Sequence, residues 1–281
     1  MVKRHPLVAF FVLAYALSWW AWIPYALGVF GSPIAGFGPF LAALAVLGLT
    51  EGRAGIIGLL RRMARWRVGV GWYAVALLLP VAVAGLAALL NVSLGAEAPS
   101  PAAVGRWTGI FGTLAFLLVV PGAGGAWEEP GWRGYAVPRL QARWSALTAA
   151  LVLGVLIAAW HLPLIVTGQV HYADVVSIMG ATVVINWLFN HVGGSVLLIM
   201  LLHATNNAVS GNYFSPMFTG ADSARQAWLL AAIWCGLAVV VVLAGGPRDF
   251  SRRRPRQVEP QSTTDPDGPV RPASRPQQVL R

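Results

Sequence analysis

Charge is what this chain has least of. Only 11% of its 281 residues are Asp, Glu, Lys or Arg, against about 25% in an ordinary soluble domain. Lysine is nearly absent, so the basic side chains are almost all arginine and Lys3 stands alone. The single cysteine, Cys235, excludes an intrachain disulfide and, deep in an apolar run, reads as a small hydrophobe. No GxSxG turn and no HExxH helix occur, so neither a serine-hydrolase elbow nor a zincin site is dictated by motif. No internal repeat of the kind that builds transporters is visible.

What is present is hydrocarbon. Hydrophobic residues make up 57% of the chain, and apolar runs near the roughly 20 residues a bilayer span needs fall at 7–30, 33–49, 71–91, 108–127, 146–167, 174–190, 194–211 and 227–245. The first is too long for the core of a cleavable signal peptide and reads as a span. Many of the 13 tryptophans, Trp19, Trp72, Trp107 and Trp144 among them, sit near run ends, as an interfacial belt does. The expected fold class is all-α: a polytopic membrane bundle of about eight helices. With the N-terminus in the cytoplasm, every Lys and Arg except Arg106 and Arg225 lies on the inner side, so both termini are expected there, in a plasma or inner membrane. The net charge of +10 therefore reads as topology charge. Its arginines flank spans with few interleaved aromatics, which argues against a nucleic-acid partner.

The organisation follows. Residues 1–107 hold N-terminal spans and a basic amphipathic segment at 52–68 suited to the membrane interface, where anionic lipid attracts arginine. Residues 108–211 hold the ionisable groups, 212–246 the last span, and 247–281 a Pro-, Arg-, Gln- and Ser-rich tail too polar to fold alone.

An ionisable group at membrane depth marks a functional site by default. Pro121, Gly122, Gly124 and Gly125 break the fourth run, and a helix is expected to restart near Trp127 with Pro130 in its first turn, where a missing N–H costs nothing. Glu128 and Glu129 then sit at a helix N-terminus, which favours carboxylates. Arg133 is four residues after Glu129 and shares its face, so those two pair. Glu128 points elsewhere and is the candidate acid or base. His161 lies in IAAWHLP. His203 and Asn207 in HATNN share a helix face, with Asn206 about 100° round. Counting about 1.5 Å per residue puts His203 roughly 15 Å, His161 roughly 24 Å and Glu128 roughly 16–22 Å from the inner ends of their segments, so the three can converge. Packed, hydrogen-bonded polar residues and a solvated EE…R cap are the plainer reading of each motif.

Two chemistries suit such a site. In one, Glu128 and His161 activate water while His203 and Asn207 donate to the oxyanion on a peptide carbonyl. In the other, Glu128, His161 and His203 hold a divalent metal, zinc being the candidate, that acidifies the water. A catalytically silent immunity or interaction protein and a proton-coupled transporter are the competing functions.

Taken together, Glu128-Glu129-x-x-x-Arg133, His161 on its helix and His203-x-x-x-Asn207 resemble the three motifs of the CPBP intramembrane proteases, which comprise the type II CAAX prenyl proteases and bacterial relatives of bacteriocin processing and immunity. The resemblance covers about residues 108–211. It implies an endopeptidase for peptide or protein substrates, prenylated ones included, with Glu128 as water-activating base assisted by His161, Glu129 and Arg133 as a supporting pair, and His203 with Asn207 as oxyanion hole. Where the family's second motif has Phe four residues before the histidine, this chain has Ile157.

Overall fold

A computed structural model of the chain describes residues 2–31 and 36–250. Among the described residues all regular structure is helical. We number the main elements α1 (Pro6–Ala26), α2 (Gly38–Thr50), α3 (Gly52–Met63), α4 (Val70–Ser93), α5 (Pro101–Val119, with a 3-10 turn at Arg106–Thr108), α6 (125–141, a composite), α7 (Ala146–Trp160), α8 (Tyr172–His191), α9 (Val196–Asn206) and α10 (Gly220–Gly245).

Of these, α1, α4, α5, α8 and α10 are long and apolar enough to cross a bilayer. They are apolar all round rather than along one stripe, which in a helix signals burial or lipid. Val12 on α1, Leu78 and Leu89 on α4, and Val239 and Leu243 on α10 point outward and exposed, as side chains facing acyl chains do. The fold is a helical membrane bundle.

Three expected spans come out shorter than the apolar runs that suggested them. The run at 33–49 yields α2 from Gly38, and residues 32–35 lie outside the described part. The run at 146–167 stops at Trp160, because Pro163 follows and the chain turns at His161 into a five-residue helix, Leu162–Val166. The run at 194–211 is regular only to Asn206 and then widens into a π-helix, Asn207–Phe214. The fourth run begins earlier and ends earlier than expected, at Val119, ahead of Pro121 and Gly122.

Starts are set by side chains. Ser145 accepts from the Thr148 amide at the head of α7, Ser195 from the Leu198 amide at the head of α9, and His171 with Asp174 forms a capping box on α8. Close approach sets the packing of α8 on α10: a Cβ at Gly180 would stand 2.7 Å from the backbone of Trp234 and Cys235, so no larger residue fits there without parting the helices.

The basic segment expected at 52–68 contains α3. Its only buried side chain is Leu59, which seats against Gly134 of α6 in the same core cluster as Val196 of α9. Arg61 and Arg62 fall in its last turn, where cations suit the helix dipole. Arg62 donates to the Gly134 carbonyl at 3.0 Å, Arg65 donates to the Gly193 carbonyl, and Ser195 donates to the Arg65 carbonyl at 2.6 Å. This surface segment is thus tied to the middle of α6 and to the start of α9.

The expected tail at 247–281 begins with residues that pack. The Pro247 and Arg248 carbonyls accept from Leu147 and Ala146, and Phe250 is fully buried beside α10. The rest of that segment, 251–281, lies outside the described residues.

Candidate active site

The site is built around α6, whose irregularity follows from its residues. Gly122 takes a left-handed φ of 85°, and Gly124 is fully extended. A 3-10 turn, Gly125–Glu128, leads into one α-turn, Glu129–Gly131, with Pro130 at its first position. A π-turn, Trp132–Ala136, follows, and Val137–Gln141 closes the element. A π-turn inserts one residue into the helical repeat and re-aims the side chains after it; such turns concentrate at functional sites. The restart expected near Trp127 is therefore present, but as a composite.

Glu129 is fully buried and Arg133 is 2% exposed. Arg133 Nη1 donates to Glu129 Oε1 at 3.0 Å, the i, i+4 pair read from the sequence. The same oxygen meets His203 Nδ1 at 2.6 Å. One carboxylate oxygen thus ties α6 to α9. Charges removed from water this far persist only when paired and hydrogen-bonded, and this carboxylate has both a guanidinium and an imidazole. With Nδ1 turned to Glu129, the other ring nitrogen of His203, Nε2, lies against Gly125.

Glu128 points away from this pair. Its Oε2 accepts from Trp132 Nε1 at 3.3 Å, and its carboxylate stands apart from Arg133's hydrogen bonds. His161 closes α7. Its Nδ1 bonds the Ile157 carbonyl at 2.9 Å, and its ring lies beside the Trp22 and Trp160 pair. Trp160 itself is fully buried, donates to the Ala14 carbonyl and meets Trp132 edge-on at 5.5 Å. This indole cluster packs behind the histidine, while Ile157 borders the cavity in front.

That cavity, about 250 Å³, is where the residues converge. Glu128, Arg133, His161, His203 and Asn207 all border it, together with Asn206. Of the residues singled out in the sequence, only Glu129 does not border the cavity; it sits behind His203 and Arg133. Asn206, about 100° round the helix from Asn207, borders the cavity as well. Ile185, Leu202 and Ala181 supply apolar wall, and Asp174 and Ser177 also line it.

Among the described residues no group of three or more His, Cys, Asp and Glu side chains is placed to hold a metal ion. The set Glu128, His161 and His203 is therefore not arranged as a ligand cage; Nδ1 of each histidine is engaged by an oxygen, which leaves Nε2 as its other ring nitrogen.

Two residues that the sequence reading passed over belong here. Asn186, on α8, is fully buried and accepts from Arg133 Nε at 3.2 Å. An asparagine in an otherwise apolar span was the available signal. Gly125 lies directly under the His203 ring, so that a Cβ there would overlap it. Nothing in the sequence separates Gly125 from its glycine neighbours.

Residues 110–209 match the family model of the type II CAAX prenyl endopeptidase Rce1-like domain. A curated relative, the CAAX prenyl protease 2 of Methanococcus maripaludis, is 29% identical over 105 residues, which are 33% of this chain and 38% of that protein. The alignment thus spans well under half of either protein. Apolar helices and family match together make this an integral membrane protein. The stretch 110–209, which carries Glu128, Glu129, Arg133, His161, His203 and Asn207, is a domain of the CPBP family, that of the type II CAAX prenyl endopeptidases.

Proposed function

We propose that this protein is an intramembrane endopeptidase that hydrolyses a peptide bond of membrane-associated, CAAX-type substrates. The observation that carries the reading is the shared cavity bordered by Glu128, His161, His203 and Asn207, with His203 held from behind by the buried Glu129–Arg133 pair.

In this reading Glu128 takes a proton from a water in the cavity, and His161 orients that water through its free ring nitrogen. The hydroxide adds to the scissile carbonyl carbon. Negative charge gathers on the carbonyl oxygen, and the Asn207 amide and His203 donate to it, an arrangement aimed at the transition state rather than the substrate. The proton held by Glu128 passes to the leaving nitrogen as the C–N bond breaks, releasing acid and amine. Glu129 and Arg133 never touch substrate; they hold His203. The steps above use these side chains and water alone.

The eight apolar runs, both termini on the cytoplasmic side, and residence in the plasma or inner membrane complete the proposal. The arginine distribution supports that orientation.

The test of the oxyanion roles is kinetic. In nanodiscs, Asn207→Ala lowers kcat on a CAAX-type peptide by about 10²- to 10³-fold with little change in KM, the usual effect of removing one such donor. Prenylated and unprenylated versions of the same peptide then decide whether the lipid is recognised. Full activity of Asn207→Ala removes it from the mechanism.

A further inference from the structure

The Glu129–Arg133 pair is joined by one hydrogen bond between one nitrogen and one oxygen, not by the two-point fork these groups often adopt. A single contact is a pivot. The guanidinium can swing about it, and any swing is passed to Glu129 Oε1 and from there to His203 Nδ1, which shares that oxygen. A second fixed point is needed to hold the guanidinium plane.

Asn186 supplies it. Its amide oxygen accepts from Arg133 Nε at 3.2 Å. The orientation of that amide is not arbitrary, because arginine only donates and so selects the oxygen. The chain of contacts therefore runs from Asn186 on α8 through Arg133 and Glu129 on α6, all three buried, to the partly exposed His203 on α9, with lengths of 3.2, 3.0 and 2.6 Å. Gly125 closes the far side of the His203 ring and leaves it no room to shift.

Helix-to-helix glue is the plainer role for a buried asparagine. The network is poorly made for that. It leaves Asn186 Nδ2, Arg133 Nη2 and Glu129 Oε2 buried without a hydrogen-bond partner, and unsatisfied buried groups weaken a fold. An arrangement kept at that cost, on the back of a histidine that borders the cavity, is better accounted for by geometry at the site.

The geometry points to Asn186 as a positioning residue for the hydrolytic reaction: it locks the Arg133 plane and, through Glu129, fixes the orientation of the His203 imidazole. This rests on the proposed role of His203.

The experiment uses the full chain in nanodiscs, with Asn186→Leu, close in shape but without an acceptor, and Asn186→Asp, which keeps one. Asn186→Ala replaces the leucine variant if that does not fold. Cleavage of a CAAX-type peptide and the imidazole ¹⁵N resonances of His203, assigned with His203→Gln, are recorded for each. Asn186→Leu is expected to lower kcat by roughly 10- to 100-fold, the usual effect of removing a group that orients a reacting one, with KM little changed. It also moves the His203 Nδ1 resonance, and Asn186→Asp restores most of the rate and the resonance position. A variant that melts earlier but keeps both kcat and the resonance makes Asn186 glue and overturns the inference. If the wild type cleaves nothing, the proposed function falls, and the resonance still decides whether Asn186 orients His203.

Discussion

Replacing Gly125 with alanine adds one methyl group where the structure leaves none. The backbone at Gly125 is not left-handed, so alanine meets no conformational penalty there. The whole effect comes from the His203 ring, whose Cδ2 would stand 2.7 Å from the new carbon, with Nε2 and Cε1 nearer still. Ordinary carbon contacts begin at about 3.5 Å, so the imidazole must retreat by roughly 1 Å. It cannot retreat freely, because Nδ1 is tied to Glu129 at 2.6 Å. Overpacking of this kind costs about 1–3 kcal/mol of stability. A misplacement of about 1 Å in a reacting group costs about 10²-fold in rate, near 2.7 kcal/mol of transition-state stabilisation. Gly112→Ala on α5 is the control, since its Cβ has nothing within 4 Å. Thermal unfolding in detergent and single-turnover cleavage are measured for both. Wild-type rate and melting temperature in Gly125→Ala would refute the placement of His203 against this glycine.

Other outcomes follow from the same geometry. Arg133→Ala strands the Glu129 charge in the core and lowers stability by about 3–5 kcal/mol in chemical denaturation, whereas Arg143→Ala leaves the midpoint in place. Glu128→Gln abolishes cleavage without lowering the melting temperature, because the amide can still accept from Trp132; a destabilised variant would make Glu128 a packing residue. Gly180→Ala forces α8 from the backbone of α10 and lowers the melting temperature while KM stays unchanged. Dialysis against a chelator leaves the rate unaltered; a loss reversed by zinc would restore Glu128, His161 and His203 as a ligand set.

Period and composition made the helical membrane class legible, as did the Glu129–Arg133 spacing, which depends only on one turn of helix. Convergence of Glu128, His161 and His203 at similar depth was also readable, since rise per residue is nearly constant. What periodicity hides is its own interruption. The π-turns at Trp132–Ala136 and Asn207–Phe214 leave no compositional mark, nor does the cavity that Asn206 and Asn207 both border. The bond from His203 to Glu129 joins residues 74 apart in sequence, and that from Asn186 to Arg133 residues 53 apart. Such pairings depend on how helices are placed side by side, which a pattern within one helix does not specify. Nor does hydrophobicity mark where a helix stops: the apolar run continues past Trp160, where α7 ends and the chain turns at His161.

Cleavage of a quenched fluorescent peptide library, prenylated members included, by the purified protein in nanodiscs tests the central claim most directly. The account predicts turnover by the wild type and its loss, by about four orders of magnitude or more, in a folded Glu128→Ala variant, as for removal of a group essential to the chemical step. Equal turnover by the two proteins, or none by a folded wild type, would contradict it.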